Sequence, residues 1–414
     1  MIKRLRWGAM AGLAVLAAPL AAGAPPLAPV HDPPLAAAAP AIQSAAQAIA
    51  QDAGVYAQRY GVAPEDAVAR LGALAASAAT TDAIRAEFRA RLVGISIDHV
   101  PQLRIVVLLT GSAPVAERQI VAAGVTLPIL FRTGASASGD DVVRAMLQRG
   151  PELAKLLPKA RGMGLDQRSG ELVILLRSVD VARADLPALR SAAEAISGVK
   201  VRFDLADRPD NLSLNGGERV EGVDPTDGKR YACTAGFAVG DGKRTGIATA
   251  AHCPDTLAYR EGQGPWIALP FVGQWGARAQ DVQINLAPAG QTPTFYADRR
   301  SGSLRQLVSW RSRLSTRAGE WLCHYGESSG YSCAEVELTQ FAPPELLCGG
   351  ICAPSWITVR THDCRSGDSG GPVFSGDVAF GITKGGSGGG RGTRCNFYFY
   401  MSTDFLPTGW WLLH

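Results

Sequence analysis

One glycine-rich stretch carries residue types suited to nucleophilic catalysis. Residues 367–372 read Gly-Asp-Ser-Gly-Gly-Pro, so Ser369 is flanked by residues without bulky side chains. A packed strand would carry branched apolar side chains instead. Glycines permit a sharp turn and let a substrate carbonyl approach main-chain N–H groups closely. The stretch predicts a serine nucleophile beside an oxyanion hole, and the alternative is a glycine-rich surface turn.

A serine hydroxyl needs a base to remove its proton, and histidine is the usual one. The chain has six histidines, and His252 ends the run Thr-Ala-Ala-His-Cys at residues 249–253. A disulfide at Cys253 would fix the backbone beside the imidazole. These neighbours favour His252 as the base over a surface or structural histidine.

The base in turn needs a buried carboxylate that holds its tautomer and stabilises the imidazolium. Asp281 opens an alternating stretch, Asp-Val-Gln-Ile-Asn-Leu, which reads as a strand. Asp298 is the rival, but it precedes Arg299 and Arg300, where a solvated ion pair is the simpler interpretation. We therefore predict Asp281 as the acid.

The order of these residues excludes one alternative. The stretch around Ser369 also satisfies the G-x-S-x-G pattern of α/β-hydrolases, in which the order is serine, acid, histidine. Only His414 follows Ser369 here, and the flanking sequence does not alternate between helix and strand. A lipase or esterase of that fold is excluded, because the order is His252, Asp281, Ser369.

Length and composition indicate two or three folded domains. The chain has 414 residues, 47% of them hydrophobic, so a sizeable core can be buried. A net charge of +4 is mild for this length and gives no reason to expect a nucleic-acid partner.

The cysteines separate two halves of the chain. All eight lie after residue 232, at Cys233, Cys253, Cys323, Cys333, Cys348, Cys352, Cys364 and Cys395. An even count in one half predicts a disulfide-bonded domain. Zinc binding is the competing interpretation for Cys348 and Cys352, although no second close Cys/His pair accompanies them.

The N-terminus predicts export. Lys3, Arg4 and Arg6 precede an apolar run from Trp7 to about Leu20, followed by small residues, which is typical of a signal peptide over residues 1–24. An uncleaved anchor is the alternative. No later stretch reads as a transmembrane helix, so we expect a secreted protein, extracellular or periplasmic, without stable membrane association.

Residues up to about 208 predict an α+β region that follows a flexible leader over 25–45. Helices are predicted to begin at Pro64 and to run over 82–92. Two similar stretches, 94–109 and 162–176, each read as strand, turn, strand, followed by helical segments at 113–123 and 184–196. Two unrelated hairpins are the alternative to a repeat. No catalytic cluster is apparent in this region.

Beyond a turn-rich boundary near residue 205, the pattern changes to short strands between Gly, Pro and Asn turns. Strands are predicted at 234–239, 246–249, 282–286, 356–360 and 378–383, with a short helix or closing strand after residue 403. This spacing is typical of an antiparallel sandwich or barrel.

The motifs at His252 and Ser369 resemble those of the chymotrypsin (trypsin-like) serine peptidase superfamily. Further stretches resemble its bacterial alpha-lytic protease and streptogrisin branch: 233–239 its first barrel strand, 323–333 its disulfide hairpin, 381–388 its substrate-binding strand, and 399–400 its closing strand. The resemblance covers about residues 215–414.

This resemblance implies an all-β catalytic domain over 215–414, built of two six-stranded antiparallel barrels with the triad between them. Residues 25–214 would be an α+β pro-region that assists folding and inhibits until it is cut off, near 212–214 and within 208–217. The N–H groups of Gly367 and Ser369 would form the oxyanion hole, and Gly385 and Gly386 would pair with the substrate backbone. The implied disulfides are Cys233–Cys253, Cys323–Cys333 and Cys364–Cys395, which leaves Cys348–Cys352.

Two residues depart from the family pattern. Lys384 stands where the family usually has a serine near the catalytic acid, so it would either pair with Asp281 or point to solvent. Asp363 precedes Cys364 near the expected specificity pocket, where a buried carboxylate would favour Arg or Lys at the cleaved position. A solvated loop acid is the alternative.

The sequence thus predicts a secreted serine endopeptidase made as a zymogen, which acts on polypeptide substrates as a monomer. The resemblance implies no metal and no organic cofactor. A secreted binding protein on an inactive protease scaffold is the second hypothesis. We also expect Asp368 to bury its carboxylate against an internal cation.

Overall fold

The computed structural model describes residues 41–176, 181, 185–205, 209–211, 217–260, 264–287, 291–361, 363–388 and 395–414. The predicted signal peptide and most of the predicted leader lie outside these residues. So does most of the stretch in which we expect processing.

The helices whose bounds are described in the N-terminal region are α1 (Ala45–Tyr60), α2 (Pro64–Ala76), α3 (Ala78–Glu87), α4 (Gly139–Leu156) and α5 (Leu186–Ser197). The predicted start at Pro64 and the helix over 184–196 are confirmed as α2 and α5. The helix predicted over 82–92 begins earlier and ends at Glu87, because Leu92 already starts a strand. The helices α1 and α4 were not predicted.

The N-terminal strands are β1 (Ile42–Gln43), β2 (Leu92–Asp98), β3 (Arg104–Thr110), β4 (Arg118–Ala122), β5 (Val125–Ala135), β6 (Met163–Leu165), β7 (Leu172–Leu176), β8 (Val201–Leu205) and β9 (Pro209–Asn211). In both predicted repeat units an antiparallel hairpin, β2–β3 or β6–β7, is joined by a parallel strand, β5 or β8. The helix predicted over 113–123 is wrong. Its β-branched pair Ile120 and Val121 lies in β4, which pairs with β5.

We call residues 215–414, the range of the catalytic domain that the resemblance implies, the catalytic half. Its first part contains β10 (Arg219–Val223), β11 (Arg230–Thr234), β12 (Ala238–Gly240), β13 (Thr245–Thr249), β14 (Leu257–Tyr259), β15 (Ile267–Leu269), β16 (Phe271–Trp275), β17 (Val282–Leu286), β18 (Thr294–Asp298), β19 (Ser303–Gln306) and β20 (Ser309–Trp310). They form sheets in the orders β11-β10-β14-β15 and β16-β17-β13-β12, and β18 pairs with β19. The strand predicted over 234–239 is divided, because residues 235–237 belong to neither β11 nor β12.

The second part contains β21 (Trp321–Gly326), β22 (Gly330–Glu335), β23 (Phe341–Ala342), β24 (Ile357–Val359), β25 (Pro372–Ser375), β26 (Val378–Gly388), β27 (Cys395–Ser402) and β28 (Trp411–Leu412), with short 3₁₀ helices at Arg313–Ser315, Glu345–Leu347 and Thr403–Phe405. Six strands follow the order β22-β21-β25-β26-β27-β24. The final strand β28 closes onto β12 of the first part. The predicted fold class, an all-β double barrel preceded by an α+β region, is confirmed.

The N-terminal region and the catalytic half share one hydrophobic core. Buried side chains of α1, β2 and β3 belong to the same cluster as those of β17, β21 and β27. Tyr56 on α1, for example, packs edge-on against Trp321 on β21, with ring centres 5.4 Å apart. No helix in the described ranges is both long and apolar enough to cross a membrane.

Candidate active site

His252 is held at the end of β13. Residues Ala250 and Ala251 are buried, and Cys253 is tied to Cys233 on β11 by a disulfide. The N–H of Cys253 donates to the carbonyl of Ala250 at 3.1 Å, which turns the chain at the histidine. The small residues let the backbone run against the core, so the imidazole is directed outward and is 18% exposed.

Asp281 directly precedes β17, the strand beside β13. Its side chain is 1% exposed. Its N–H lies 3.2 Å from the Sδ of Met401 on β27, so this residue spans the two barrels. The alternation that predicted a strand here places Val282 and Ile284 in the core and leaves the acid at the strand entrance.

Ser369 lies in the loop between β24 and β25, and its position is fixed by backbone hydrogen bonds. The carbonyl of Ser369 accepts from the N–H of Thr234 at 2.8 Å, and the N–H of Gly370 donates to the carbonyl of Thr383 at 2.7 Å. Gly370 has φ 86°, and a Cβ there would collide with the carbonyl of Thr234 and the side chain of Thr249. Only glycine fits at this position.

The three predicted residues form one hydrogen-bonded chain. The Nδ1 of His252 lies 2.9 Å from Oδ2 of Asp281, and its Nε2 lies 2.8 Å from the Oγ of Ser369. With the imidazole proton on Nδ1, the ring donates to the carboxylate and accepts from the serine hydroxyl. This is the geometry that acyl transfer requires of a nucleophile, a base and an orienting acid.

Lys384 adds a buried cation to this chain. Its Nζ lies 3.3 Å from Oδ2 of Asp281, the same oxygen that faces His252, and its side chain is 2% exposed. The ammonium also lies 5.2 Å from the ring centre of Trp356, which is fully buried. Of the two alternatives for Lys384, the structure has the pairing with Asp281.

The charge of Asp281 is maintained by its neighbours. Burial alone would raise its pKa, but the ammonium of Lys384 and then the imidazole of His252 outweigh burial and hold the pKa at about 2. The titratable side chains that contact this carboxylate within the described ranges are those of His252 and Lys384. The acid is therefore ionised throughout the range in which a histidine base operates.

The main chain at Gly367 and Ser369 is suited to an oxyanion. Gly367 has φ 126°, and its carbonyl is turned away to accept from the hydroxyl of Thr234 at 3.1 Å. In the described part of the chain, neither the N–H of Gly367 nor that of Ser369 donates a hydrogen bond. Two donors beside the Oγ of Ser369 are therefore available to a developing negative charge.

Gly385 and Gly386 lie on β26, and a strand of this chain already pairs with them. β9 runs antiparallel to β26, with Asn211 opposite Gly385 and Asp210 opposite Gly386. An extended segment thus occupies the edge predicted to bind substrate. In this chain Ser369 is fully buried.

All eight cysteines are paired. The structure has the three pairs that the resemblance implies, Cys233–Cys253, Cys323–Cys333 and Cys364–Cys395. The two remaining cysteines form the fourth pair, Cys348–Cys352. Zinc coordination by Cys348 and Cys352 is therefore wrong, since a disulfide uses both sulfur atoms.

Two expectations about acids near the site are corrected. Asp363 is exposed, so the premise of a buried pocket carboxylate is wrong; its carbonyl rather than its carboxylate faces inward, toward Nε2 of His324 at 3.0 Å.

Asp368 is fully buried as expected, but among the described residues no Lys or Arg pairs with it. Its carboxylate accepts instead from the N–H groups of Ser329 and Arg365 at 3.1 and 2.7 Å. Burial raises the pKa of Asp368.

The rival acid lies elsewhere. Asp298, at the end of β18, accepts from the N–H of Arg300 and the hydroxyl of Ser301 in a surface turn. Sequence reasoning missed the roles of Trp356, which directly precedes β24 and contacts Lys384, and of Met401 on β27, which contacts Asp281. A lone Trp or Met carries no signal for such a role.

No protein-family model matches the chain. The chain is 30% identical to Streptogrisin-C from Streptomyces griseus over 164 residues, which are 38% of this chain and 32% of that protein. It therefore spans about a third of the length of that relative. Over this part of the chain, the resemblance to chymotrypsin-like bacterial serine proteases is confirmed.

Solved structures were also compared. Thermobifida fusca Protease A is 23% identical, and the match covers 48% of this chain and 98% of that one with a TM-score of 0.38. The Nocardiopsis protease is 23% identical, with 46% and 92% covered and a TM-score of 0.34.

Proposed function

We propose that this chain is a secreted serine endopeptidase made as a zymogen, with Ser369, His252 and Asp281 as its triad. The observation that carries the proposal is the continuous chain of contacts from Oγ through the imidazole to a buried, ionised carboxylate, at 2.8 and 2.9 Å. A binding protein would have no need of this alignment.

The chemistry follows from the geometry. As Ser369 Oγ attacks the peptide carbonyl, its proton passes to His252 Nε2, and the imidazolium is stabilised through Nδ1–H by Asp281. The N–H groups of Gly367 and Ser369 donate to the oxyanion of the tetrahedral intermediate. His252 then gives the proton to the leaving amine. Water, activated by the same histidine, hydrolyses the acyl-enzyme.

Lys384 has a positioning role in this proposal. By pairing with Oδ2 of Asp281 and packing on Trp356, it fixes the carboxylate beside Nδ1 of His252. A serine at this position would supply a hydroxyl donor, whereas the lysine supplies a full positive charge. When the imidazole is protonated, the charges of Lys384, Asp281 and His252 therefore alternate in sign.

The N-terminal region is proposed to be the inhibitory pro-region and folding assistant. The antiparallel pairing of β9 with Gly385, Gly386 and Ser387 supports this role, because it fills the edge at which an extended substrate would bind. The shared hydrophobic core supports it too, since a segment in such contact can template the catalytic half. We propose that processing occurs within 208–217 and that the matured enzyme is a monomer.

Export is supported by the basic and apolar N-terminus and by the four disulfides, which form and persist in oxidising compartments.

The test is expression of the full chain as wild type and as Ser369→Ala, followed by mass analysis and fluorophosphonate labelling. Wild type is expected to shorten to about 20 kDa, the size of one domain of about 200 residues, and to take one label at Ser369. A matured wild-type chain that takes no label would overturn the assignment. A Ser369→Ala chain that shortens at the wild-type rate would show that maturation is not autocatalytic.

A further inference from the structure

A second cluster of buried charges joins the N-terminal region to the catalytic half and shares no residue with the triad. Asp52 on α1 and Arg305 on β19 are both 0% exposed, although they lie 253 residues apart in the sequence. Both terminal nitrogens of the guanidinium donate to the carboxylate: Nη2 to Oδ1 at 2.9 Å and Nη1 to Oδ2 at 3.2 Å.

Two further donors complete the coordination of this carboxylate. The hydroxyl of Tyr331 donates to Oδ1 at 2.7 Å, and the N–H of Gly376 donates to Oδ2 at 2.7 Å. Each oxygen of Asp52 thus accepts two hydrogen bonds. All four donors belong to the catalytic half, from β19, β22 and the turn after β25. We call Arg305, Tyr331 and Gly376 the carboxylate socket.

The catalytic half itself holds these donors in place. Arg305 Nη1 also donates to the carbonyl of Gly376 at 2.8 Å, and its guanidinium lies 5.1 Å from the ring centre of Phe374. Tyr331 lies in the hairpin closed by the disulfide Cys323–Cys333. From the N-terminal side, the amide oxygens of Gln43 and Gln51 also accept from Arg305, both at 3.0 Å.

Physical chemistry identifies the ligand class. A guanidinium buried away from water needs a counter-charge, and removing one partner of such a pair is strongly unfavourable. A fork of two guanidinium nitrogens with two more donors matches a planar carboxylate. Burial and the Asp52 carboxylate raise the pKa of Tyr331, so its phenol keeps the proton that it donates.

We propose that the carboxylate socket is a binding site of the catalytic half for the segment 41–60, occupied by Asp52 in the intact chain and still occupied by it after the chain is cut. The occupant fits in two ways besides its acid. β1 adds to β19 in parallel, with Ile42 opposite Leu304, and Ala53 and Tyr56 of α1 bury their side chains beside Asp52. The inference depends on the proposed function only in that processing would separate the two parts.

The test uses the full chain with Ser369→Ala and a recognition sequence for an external protease inserted within 212–216. After the cut, dilution followed by size-exclusion chromatography gives the Kd between the two parts. Asp52→Asn is expected to raise this Kd about 100-fold or more, as expected for an unpaired buried charge. Asp66→Asn, an equal charge change at an exposed acid of α2, is expected to leave the Kd unchanged.

Two further measurements keep the test decisive if Asp52→Asn impairs folding. Tyr331→Phe removes one donor and is expected to raise the Kd about tenfold. In Asp52→Ala, sodium acetate is expected to restore retention by filling the socket, whereas sodium chloride at equal ionic strength is not. Equal Kd values for Asp52→Asn and Asp66→Asn, or equal effects of acetate and chloride, would overturn the proposal. Because Ser369 is replaced by alanine and an external protease makes the cut, these outcomes are independent of peptidase activity.

Discussion

The N-terminal region and the catalytic half are stabilised in different ways. The catalytic half carries four disulfides and several buried polar networks, including the triad and the loop around Asp368. The N-terminal region has no cysteine, and part of its core consists of contacts with its neighbour, such as Tyr56 against Trp321. The catalytic half is thus stabilised by its own disulfides, whereas the N-terminal region depends on its contact with the catalytic half.

This difference fits two parts with different lifetimes. Disulfides stabilise a domain by restricting its unfolded chain, and this stabilisation does not depend on a binding partner. A core shared across an interface stabilises only while the interface persists. We therefore expect the catalytic half to outlast the N-terminal region once the connection between them is cut, and the following predictions test this asymmetry.

The largest effect is expected on kcat, when a residue of the proposed triad is replaced. Ser369→Ala or His252→Ala is expected to lower kcat by about five to six orders of magnitude, as loss of a triad member does in serine proteases. The assay is peptide hydrolysis after maturation in trans or by an external protease. Ser366→Ala, an exposed serine of the same loop, is the matched control and is expected to keep wild-type activity. Residual hydrolysis above the 1% level in Ser369→Ala would mean that the nucleophile lies elsewhere.

A smaller effect is expected at the buried cation. In Lys384→Met, burial of Asp281 is opposed by His252 alone, so the pKa of Asp281 rises from about 2. Because the carboxylate must be charged, the acid limb of kcat/KM moves to higher pH, by about one unit, and the plateau falls about tenfold. Stopped assays between pH 4 and 9 measure both.

The matched control for Lys384→Met is Lys243→Met, which removes an exposed lysine. An acid limb that stays in place in Lys384→Met would show that the ammonium does not act on the triad. A lower plateau with an unmoved limb would leave only a packing role on Trp356.

The disulfides are expected to contribute unequally to the free energy of unfolding, in the order of the lengths of the loops that they close. Cys348–Cys352 spans 4 residues and Cys364–Cys395 spans 31. On loop-closure entropy, replacing both cysteines by serine costs about 2 kcal/mol for the first pair and about 4 kcal/mol for the second. Denaturant unfolding of the matured enzyme compares them. Equal losses, or a loss of activity in the Cys348/Cys352 variant alone, would contradict this ranking.

The smallest effect concerns the strand at the substrate edge. A peptide with the sequence of residues 205–211 is expected to inhibit the matured enzyme weakly and competitively, raising KM without changing kcat, because β9 pairs with Gly385 and Gly386. A peptide of the same composition in scrambled order is the control. Inhibition that lowers kcat at constant KM would place the peptide away from the substrate edge.

The sequence predicted those parts of the site that are contiguous or locally patterned. His252 and Ser369 are surrounded by small residues that a sharp turn requires, and Asp281 begins a strand with clear alternation. The contact between Lys384 and Asp281 depends on how two barrels face each other, so the sequence left both of its alternatives open. Asp52 and Arg305 gave no local signal at all, because their pairing is created only when α1 docks on β19.

The fold was predicted where periodicity is strong and missed where composition obscures it. The buried face of α1 consists mostly of alanine, at Ala48, Ala53 and Ala57, so the apolar periodicity that identifies a helix is weak in its sequence. β4 has an alanine-rich approach that reads as helix, but its pairing with β5 decides its conformation. For Asp363 the sequence left a buried and a solvated carboxylate open, because burial cannot be read from proximity to a cysteine, and the structure has the solvated one.

The pairing of β9 with β26 has a kinetic consequence. While the chain is intact, the strand is tethered next to the edge proposed to bind substrate at a fixed effective molarity, so the inhibition that we propose is independent of how dilute the protein is. Once the chain is cut and the N-terminal part has dissociated, the same strand must find this edge from solution. Inhibition then becomes a second-order property, and the volume into which the protein is released sets how much of it is active.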